Sequence, residues 1–202
     1  MNKNPSFKFE KLLWDKGLEF IAGIDEVGKG AFAGPVVTAA VVLPKNFKIN
    51  GIKDSKLLNF KKRKVLSEYI RENASYFVIS KVNVNYINKF GIGKATEKAF
   101  LNCINKLNKF DFLLVDGYKI KKYNSDNQIG IIHGDSLSVS IAAASIIAKD
   151  YRDKLMIKLH KKYPEYNFLE NKGYGTKKHI KAIGKFGLIS EHRTSFKLGR
   201  FI

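Results

Sequence analysis

Cysteine is almost missing from this chain. The single thiol, Cys103, excludes an internal disulfide and fits a reducing compartment. It stands at helical spacing with Phe100, Ile104 and Leu107 and has no CxxC partner, which marks a core thiol. Long apolar runs are missing too. The longest mostly apolar stretch, residues 36–43, is far too short to span a bilayer. The first residues, Met-Asn-Lys-Asn-Pro-Ser, lack a signal peptide's apolar segment. No repeat and no Pro/Ser-rich linker divides the chain. These absences make a soluble cytoplasmic protein with no membrane partner the expectation. Nothing signals an oligomer, so a monomer is expected. The 202 residues suit one domain, 1–202, with residues 1–18 as a helical N-terminal extension.

Acids are also scarce: 18 Asp and Glu stand against 37 Lys and Arg, for a net charge of +19. A polyanion is the natural partner of such a chain, because lysines attract phosphate and release its counterions. The chain is rich in Lys, Asn and Ile together, a bias that can spread through a whole proteome. The charge therefore supports an argument from a site but cannot start one.

Hydrophobic patterning predicts a short helix around Phe9, Leu12, Leu13 and Trp14, then strands over 20–24, 34–43 and 76–84. A helix over 60–71 is capped by Asn59, with Phe60, Val65, Leu66, Tyr69 and Ile70 as its inner side. A second helix is predicted over 95–107. Short strands follow at 112–115 and 129–132. A long helix covers 136–161, with Ile141, Ala144, Ala148, Tyr151, Leu155 and Leu159 facing inward. A last helix runs from Thr176 as cap to Gly184 as stop. The order implies an α/β fold: a mixed five-stranded sheet flanked by helices, early strands antiparallel and later ones parallel.

With so few acids, their placement is informative. Asp25 and Glu26 follow the first strand, Asp116 follows the run 112–115, and Asp135 follows 129–132. Functional groups of α/β sheets gather at strand ends, so neighbouring strands would bring four carboxylates together. Such a set repels itself, and a divalent cation relieves the conflict. Oxygen-only ligation suits Mg²⁺ or Mn²⁺ rather than zinc. Two such ions support in-line phosphoryl displacement. The alternative, for each acid singly, is a helix or turn cap. Adjacent strand residues point to opposite faces. Both Asp25 and Glu26 can serve one site only if the backbone leaves regular strand geometry there.

Other motifs are less specific. Residues 28–34 read GxGxxxG and precede a strand, so they fit neither a dinucleotide fingerprint nor a P-loop. Their glycines let backbone amides approach a phosphate or sugar. Asp54-Ser55-Lys56 alone is a solvated turn. His133 stands two residues before Asp135, and His179 and His192 have no metal-like spacing to it. Arg152-Asp153 on the long helix reads as surface charge, because adjacent helical residues diverge. Lys172-Gly173-Tyr174-Gly175 frames an aromatic ring that could pack on a sugar or base. The segment His192-Arg193-Thr194-Ser195-Phe196 is opaque by itself.

Together these segments resemble the ribonuclease HII family. The opening signature runs from Ile21 through Asp25, Glu26, Gly28, Lys29 and Gly30 to Ala33-Gly34-Pro35-Val36-Val37. Further blocks are Asp54-Ser55-Lys56, Val115-Asp116-Gly117, and Gly134-Asp135-Ser136 through Lys149 and Arg152-Asp153. The last two are Lys172 to Thr176 and His192 to Phe196. The resemblance implies a ribonuclease H-like fold. It implies cleavage of the RNA strand of an RNA–DNA hybrid, or at a ribonucleotide in duplex DNA. The cut falls 5′ of the ribonucleotide and leaves 3′-hydroxyl and 5′-phosphate ends. It implies that Asp25, Glu26, Asp116 and Asp135 are the catalytic, metal-binding carboxylates, without Asp153. Substrate would meet Gly28, Lys29, Gly30, Asp54, Ser55, Lys56 and Tyr174. Residues 28–30 would contact the ribose 2′-hydroxyl, and Tyr174 would pack on the neighbouring sugar. Three positions depart from the family: Lys29 replaces the usual Arg between the glycines, Asn171 replaces the usual His, and Leu57 replaces a usual Lys.

Overall fold

Every residue of Val36–Val42 is buried on both faces, and the fold is arranged around that strand and its neighbour. The computed structural model describes residues 4–48, 51–52, 58–123 and 126–201. In chain order the elements are α1 (Lys8–Trp14), β1 (Ile21–Val27), β2 (Val36–Val42), α2 (Phe60–Asn73), β3 (Tyr76–Val82), α3 (Val84–Lys106), β4 (Phe112–Asp116) and β5 (Gln128–Ile131). There follow α4 (Val139–Lys162), α5 (Phe168–Asn171) and α6 (Lys177–Phe186). The sheet order is β3-β2-β1-β4-β5. Pairings β1–β2 and β2–β3 are antiparallel, whereas β1–β4 and β4–β5 are parallel. The mixed five-stranded sheet read from the sequence is therefore present, with the strand directions expected.

Alternation along the strands sorts the core into two layers. Val37, Ala39 and Val41 pack with Ala143, Ala144 and Ile147 of α4. Ala22, Ile24, Ala40 and Val42 pack with Phe100, Cys103 and Ile104 of α3. Cys103 is the core thiol expected: its Sγ donates to the Thr38 carbonyl at 3.4 Å, and burial pushes its pKa up to about 12. Such a thiol is unreactive at neutral pH.

The long helix is more deeply set than its apolar stripe suggests. Residues 139–148 of α4 are all buried, because the sheet covers one side and α1 and α2 cover others. Gly23 of β1 makes the close approach possible, since a Cβ there would lie 2.1 Å from the Ser140 carbonyl carbon. Glu10 of α1 is buried against the N-terminus of α4, accepting from Ser138 Oγ at 2.7 Å and the Ser140 amide at 2.9 Å. A carboxylate is favourable there, where helix amides point outward unpaired.

Several element boundaries and faces differ from expectation. The inner face of α2 is Arg63, Ser67 and Ile70, while Phe60 and Val65 are exposed, because polar groups of α4 meet this helix. Asn59 caps α2 as expected, accepting from the Lys62 amide. The α3 helix starts at Val84 rather than near 95, with a kink at Gly91 that interrupts the apolar period. The 3-10 turn Gly134–Ser136 precedes α4, whose cap is Ser138. Thr176 caps α6 as expected, but the helix continues to Phe186 and ends at Gly187, not Gly184. Among the described residues no helix is long and apolar enough to cross a membrane.

Candidate active site

Asp25 and Glu26 lie inside β1 rather than after it. Pairing with β2 runs unbroken through Asp25↔Ala39, Glu26↔Thr38 and Val27↔Val37. The expected departure from strand geometry is therefore absent; the ladder to β2 holds the backbone regular. What ends is the other edge. Parallel pairing with β4 stops at Ile24↔Val115, so the next position sets Asp25 beside Asp116. Both acids belong to the face that α4 covers, the face of Ile21 and Leu114. Asp116 is the last residue of β4. Its Oδ1 accepts from the Gly134 amide at 2.7 Å and the Asp135 amide at 3.4 Å. That contact ties β4 to the 3-10 turn carrying Asp135.

Glu26 belongs to the opposite face by alternation. It reaches the common cavity at the sheet edge, where Lys29 Nζ lies 3.5 Å from its Oε1. Its backbone amide donates to Asp25 Oδ1 at 2.6 Å. The cavity has a volume of about 300 Å³, and around it stand all four acids, residues 28–30, Ser145, Lys149 and Tyr174. Four acids and two lysines thus share one cleft of a chain whose net charge is +19. A larger cavity, about 380 Å³, opens near the β3 end of the sheet but has a single acid, Glu191. It offers no comparable chemistry.

Burial pushes the Asp25 carboxyl well above the usual range, and the neighbouring charges of Asp116 and Glu26 push it further, against a hydrogen bond from Ser145. Glu26 is raised as well, first by burial, with Lys29 opposing. The site therefore holds negative charge at a cost. Among the described residues no three Asp, Glu, His or Cys side chains are gathered closely enough to grip an ion as they stand. The acids line a cleft without closing on one centre.

Two loops frame the cleft, and arginines pin both. Arg152 is fully buried, not the surface charge expected. It donates from Nε to the Pro35 carbonyl at 3.0 Å, from Nη1 to Lys172 at 2.8 Å and from Nη2 to Ala33 at 3.1 Å. Its guanidinium lies 5.5 Å from the Tyr174 ring centroid. Arg193 is buried too, donating twice to the Gly34 carbonyl and once to that of Lys29. The sequence alone left its segment opaque. Asp153 is likewise buried, paired with Arg63 at 2.7 Å and Lys149 at 3.4 Å. Asn171 is a buried amide that donates to the Tyr166 carbonyl and accepts from the Gly173 amide. Tyr174 remains 37% exposed.

The structure thus brings together Asp25, Glu26, Asp116, Asp135, Gly28, Lys29, Gly30 and Tyr174. His133 is exposed in a left-handed conformation and stays outside the cleft. Asp54, Ser55 and Lys56 lie outside the described residues. Sequence reasoning missed Ser145, Lys149, Arg152 and Asp153 as a group. Ser145 lies within the uncharged run 139–148 and the other three follow it on a helix buried all round, and that run was the available signal.

The family model described as Ribonuclease HII matches residues 22–199. A curated ribonuclease HII of Bacillus cytotoxicus is 46% identical over 190 residues, covering 94% of this chain and 73% of that protein. One of Acholeplasma laidlawii is 47% identical over 191 residues, covering 93% and 92%. The solved ribonuclease H2 of Pyrococcus horikoshii superposes with a TM-score of 0.76 at 24% identity, covering 90% of this chain and 95% of that one. Bst-RNase HIII in complex with Mn²⁺ superposes with a TM-score of 0.73 at 20% identity, covering 91% and 68%. At those identities the structures establish a shared fold, the ribonuclease H-like one. Sequence, fold and cleft agree: the chain belongs to the ribonuclease HII family and is an endoribonuclease acting on RNA within RNA–DNA hybrids.

Proposed function

We propose that the chain cleaves the RNA strand of hybrids and single ribonucleotides embedded in duplex DNA. The cut falls 5′ of the ribonucleotide and leaves 3′-hydroxyl and 5′-phosphate ends. One observation carries this reading: four carboxylates from β1, β4 and the turn before α4 share a cleft with a glycine loop and an exposed tyrosine. The carboxylates suit phosphodiester hydrolysis, and the loop and ring suit recognition of a sugar.

Asp25, Glu26, Asp116 and Asp135 would hold Mg²⁺ or Mn²⁺. The donor set fits, being oxygen throughout, without thiol or imidazole. So does the cost of crowding, since Asp25 is raised by burial and by its neighbours, a cost that a cation relieves. Binding of Mn²⁺ by a protein of the same fold supports the choice of ion. When bound, such ions supply a water of lowered pKa and offset charge on the leaving oxygen.

The chain's own groups do the rest. Ser145 orients Asp25, and the amides of Gly134 and Asp135 orient Asp116. Lys29 and Lys56 hold phosphates flanking the scissile one. Backbone of residues 28–30 meets the ribose 2′-hydroxyl, the group that separates RNA from DNA. Tyr174 packs on the next sugar. Asp116→Asn tests the assignment. Cleavage should fall at least about 100-fold while hybrid binding survives; full activity in that variant contradicts it.

A further inference from the structure

Two histidines that the proposed chemistry leaves unused are buried together behind the cleft. His179 and His192 are both fully buried, with Nε2 atoms 3.1 Å apart. Tyr166 and Phe168 pack their rings against both, and Phe32 packs against His179. At one end of the pair, the Ile189 amide donates to His192 Nδ1 at 3.0 Å. At the other, His179 Nδ1 lies 2.9 Å from the Tyr174 carbonyl.

The two ends dictate one proton arrangement. An amide N–H can only donate, so His192 Nδ1 carries a lone pair and Nε2 carries the proton. That proton points at His179 Nε2, which must then accept. The remaining proton of His179 sits on Nδ1, opposite a carbonyl that can only accept. Every site is satisfied by neutral rings, and no other pair of neutral tautomers satisfies all three contacts. A further proton on either ring would set two donors against each other. Consistently, burial and then His179 hold His192 down at about 4.

The relay links the two loops of the cleft. The His192 end is joined to the glycine loop: Ala33 bridges to His192, the Arg193 amide donates to the Phe32 carbonyl, and the Gly34 amide donates to the Glu191 carbonyl. The His179 end fixes the carbonyl of Tyr174 itself, which also accepts from the Thr176 amide. We propose that His192 and His179 are positioning residues: a single-tautomer relay sets Tyr174 at a fixed distance from residues 28–30, and so tunes selectivity for a ribonucleotide step. The selectivity clause rests on the function proposed above; the relay itself does not.

Long-range ¹H–¹⁵N correlation on histidine-labelled wild-type protein at neutral pH reads the relay directly. Expected are neutral rings protonated at His192 Nε2 and His179 Nδ1; any other tautomer, or an imidazolium, overturns it. Selectivity is read by a mutant cycle on duplex DNA with one ribonucleotide. Asn keeps a donor at the Nδ1 position, whereas Gln places its amide at the Nε2 end and leaves Tyr174 without that donor. His179→Gln should lower kcat/KM roughly tenfold, His179→Asn much less, and His179→Gln should have no further effect in a Tyr174→Ala background. Additive losses, or equal losses for Asn and Gln, overturn the positioning role. The NMR result does not depend on what the chain cleaves, so failure of the relay and failure of the proposed function are separate results.

Discussion

Arg152 fills the space that a side chain on Gly28 would need: a Cβ there would lie 2.1 Å from Arg152 Nε. The arginine cannot yield, because three carbonyls from two loops hold it. Gly28 also has φ +87°, where an L-residue costs roughly 1–2 kcal/mol. Glycine at the mouth of the cleft is therefore a requirement of packing as well as of the proposed substrate approach.

Gly28→Ala should accordingly lower both stability and activity. The expected melting temperature falls by several degrees, at roughly 2–4 °C per kcal/mol for a chain of this size. Embedded-ribonucleotide cleavage should fall about tenfold or more. A variant that melts and cleaves like wild type would show that the loop has room the packing denies.

The buried pair of Arg63 and Asp153 joins α2 to α4 directly behind the cleft. Removing one partner strands the other in the interior, at a cost of about 3–5 kcal/mol. Asp153→Ala should show that loss in urea denaturation. Arg63→Met with Asp153→Leu should recover most of it, since the closer, more deeply buried pair is then removed together and Lys149, which loses its longer contact to Asp153, keeps some access to solvent. Asp150 and Ser67 sit on the same interface and stay in place. Equal losses in the single and double variants would contradict this account.

Much of this could be read from residues in order. The apolar runs found the five strands, and the acids at or beyond strand ends marked the cleft. Asn59 and Thr176 announced their helices. What stayed hidden depends on contacts across the fold. Arg152 looks solvated until α4 is known to be covered on all sides. The inner face of α2 is set by Asp150 and Asp153, residues 83 and 90 positions away from Ser67 and Arg63. The strand carrying Asp25 and Glu26 was expected to break there. It continues because β2 supplies a ladder that the local sequence does not reveal.

The Asp25 carboxyl makes a prediction about stability without metal. Its folded pKa is raised, so its favourable contribution is present in acid and is lost as pH rises through the folded value. At neutral pH the buried charge opposes folding. Asp25→Asn should therefore raise the melting temperature in chelator while abolishing cleavage. It should also weaken the stabilisation that Mg²⁺ gives wild type. A variant less stable than wild type in chelator would contradict the reading.

His192 acts in the opposite sense. Its folded pKa, about 4, is below the ordinary value near 6.5. The unfolded chain binds the proton first, so stability is full above about pH 6.5 and falls as pH drops toward 4. The loss attributable to this one ring is up to roughly 3 kcal/mol. Equilibrium unfolding from pH 7 to 4 should show a steeper decline in wild type than in His192→Gln. Parallel curves would remove His192 from the account.

The central claim is that the acid cleft cleaves at ribose. Its most direct test is a labelled DNA duplex carrying one ribonucleotide, incubated with the chain with and without Mg²⁺ or Mn²⁺. The account predicts a single cut on the 5′ side of the ribonucleotide, with a 3′-hydroxyl end, only when metal is present. Cleavage without metal, or equal cleavage of the all-DNA duplex, would contradict it.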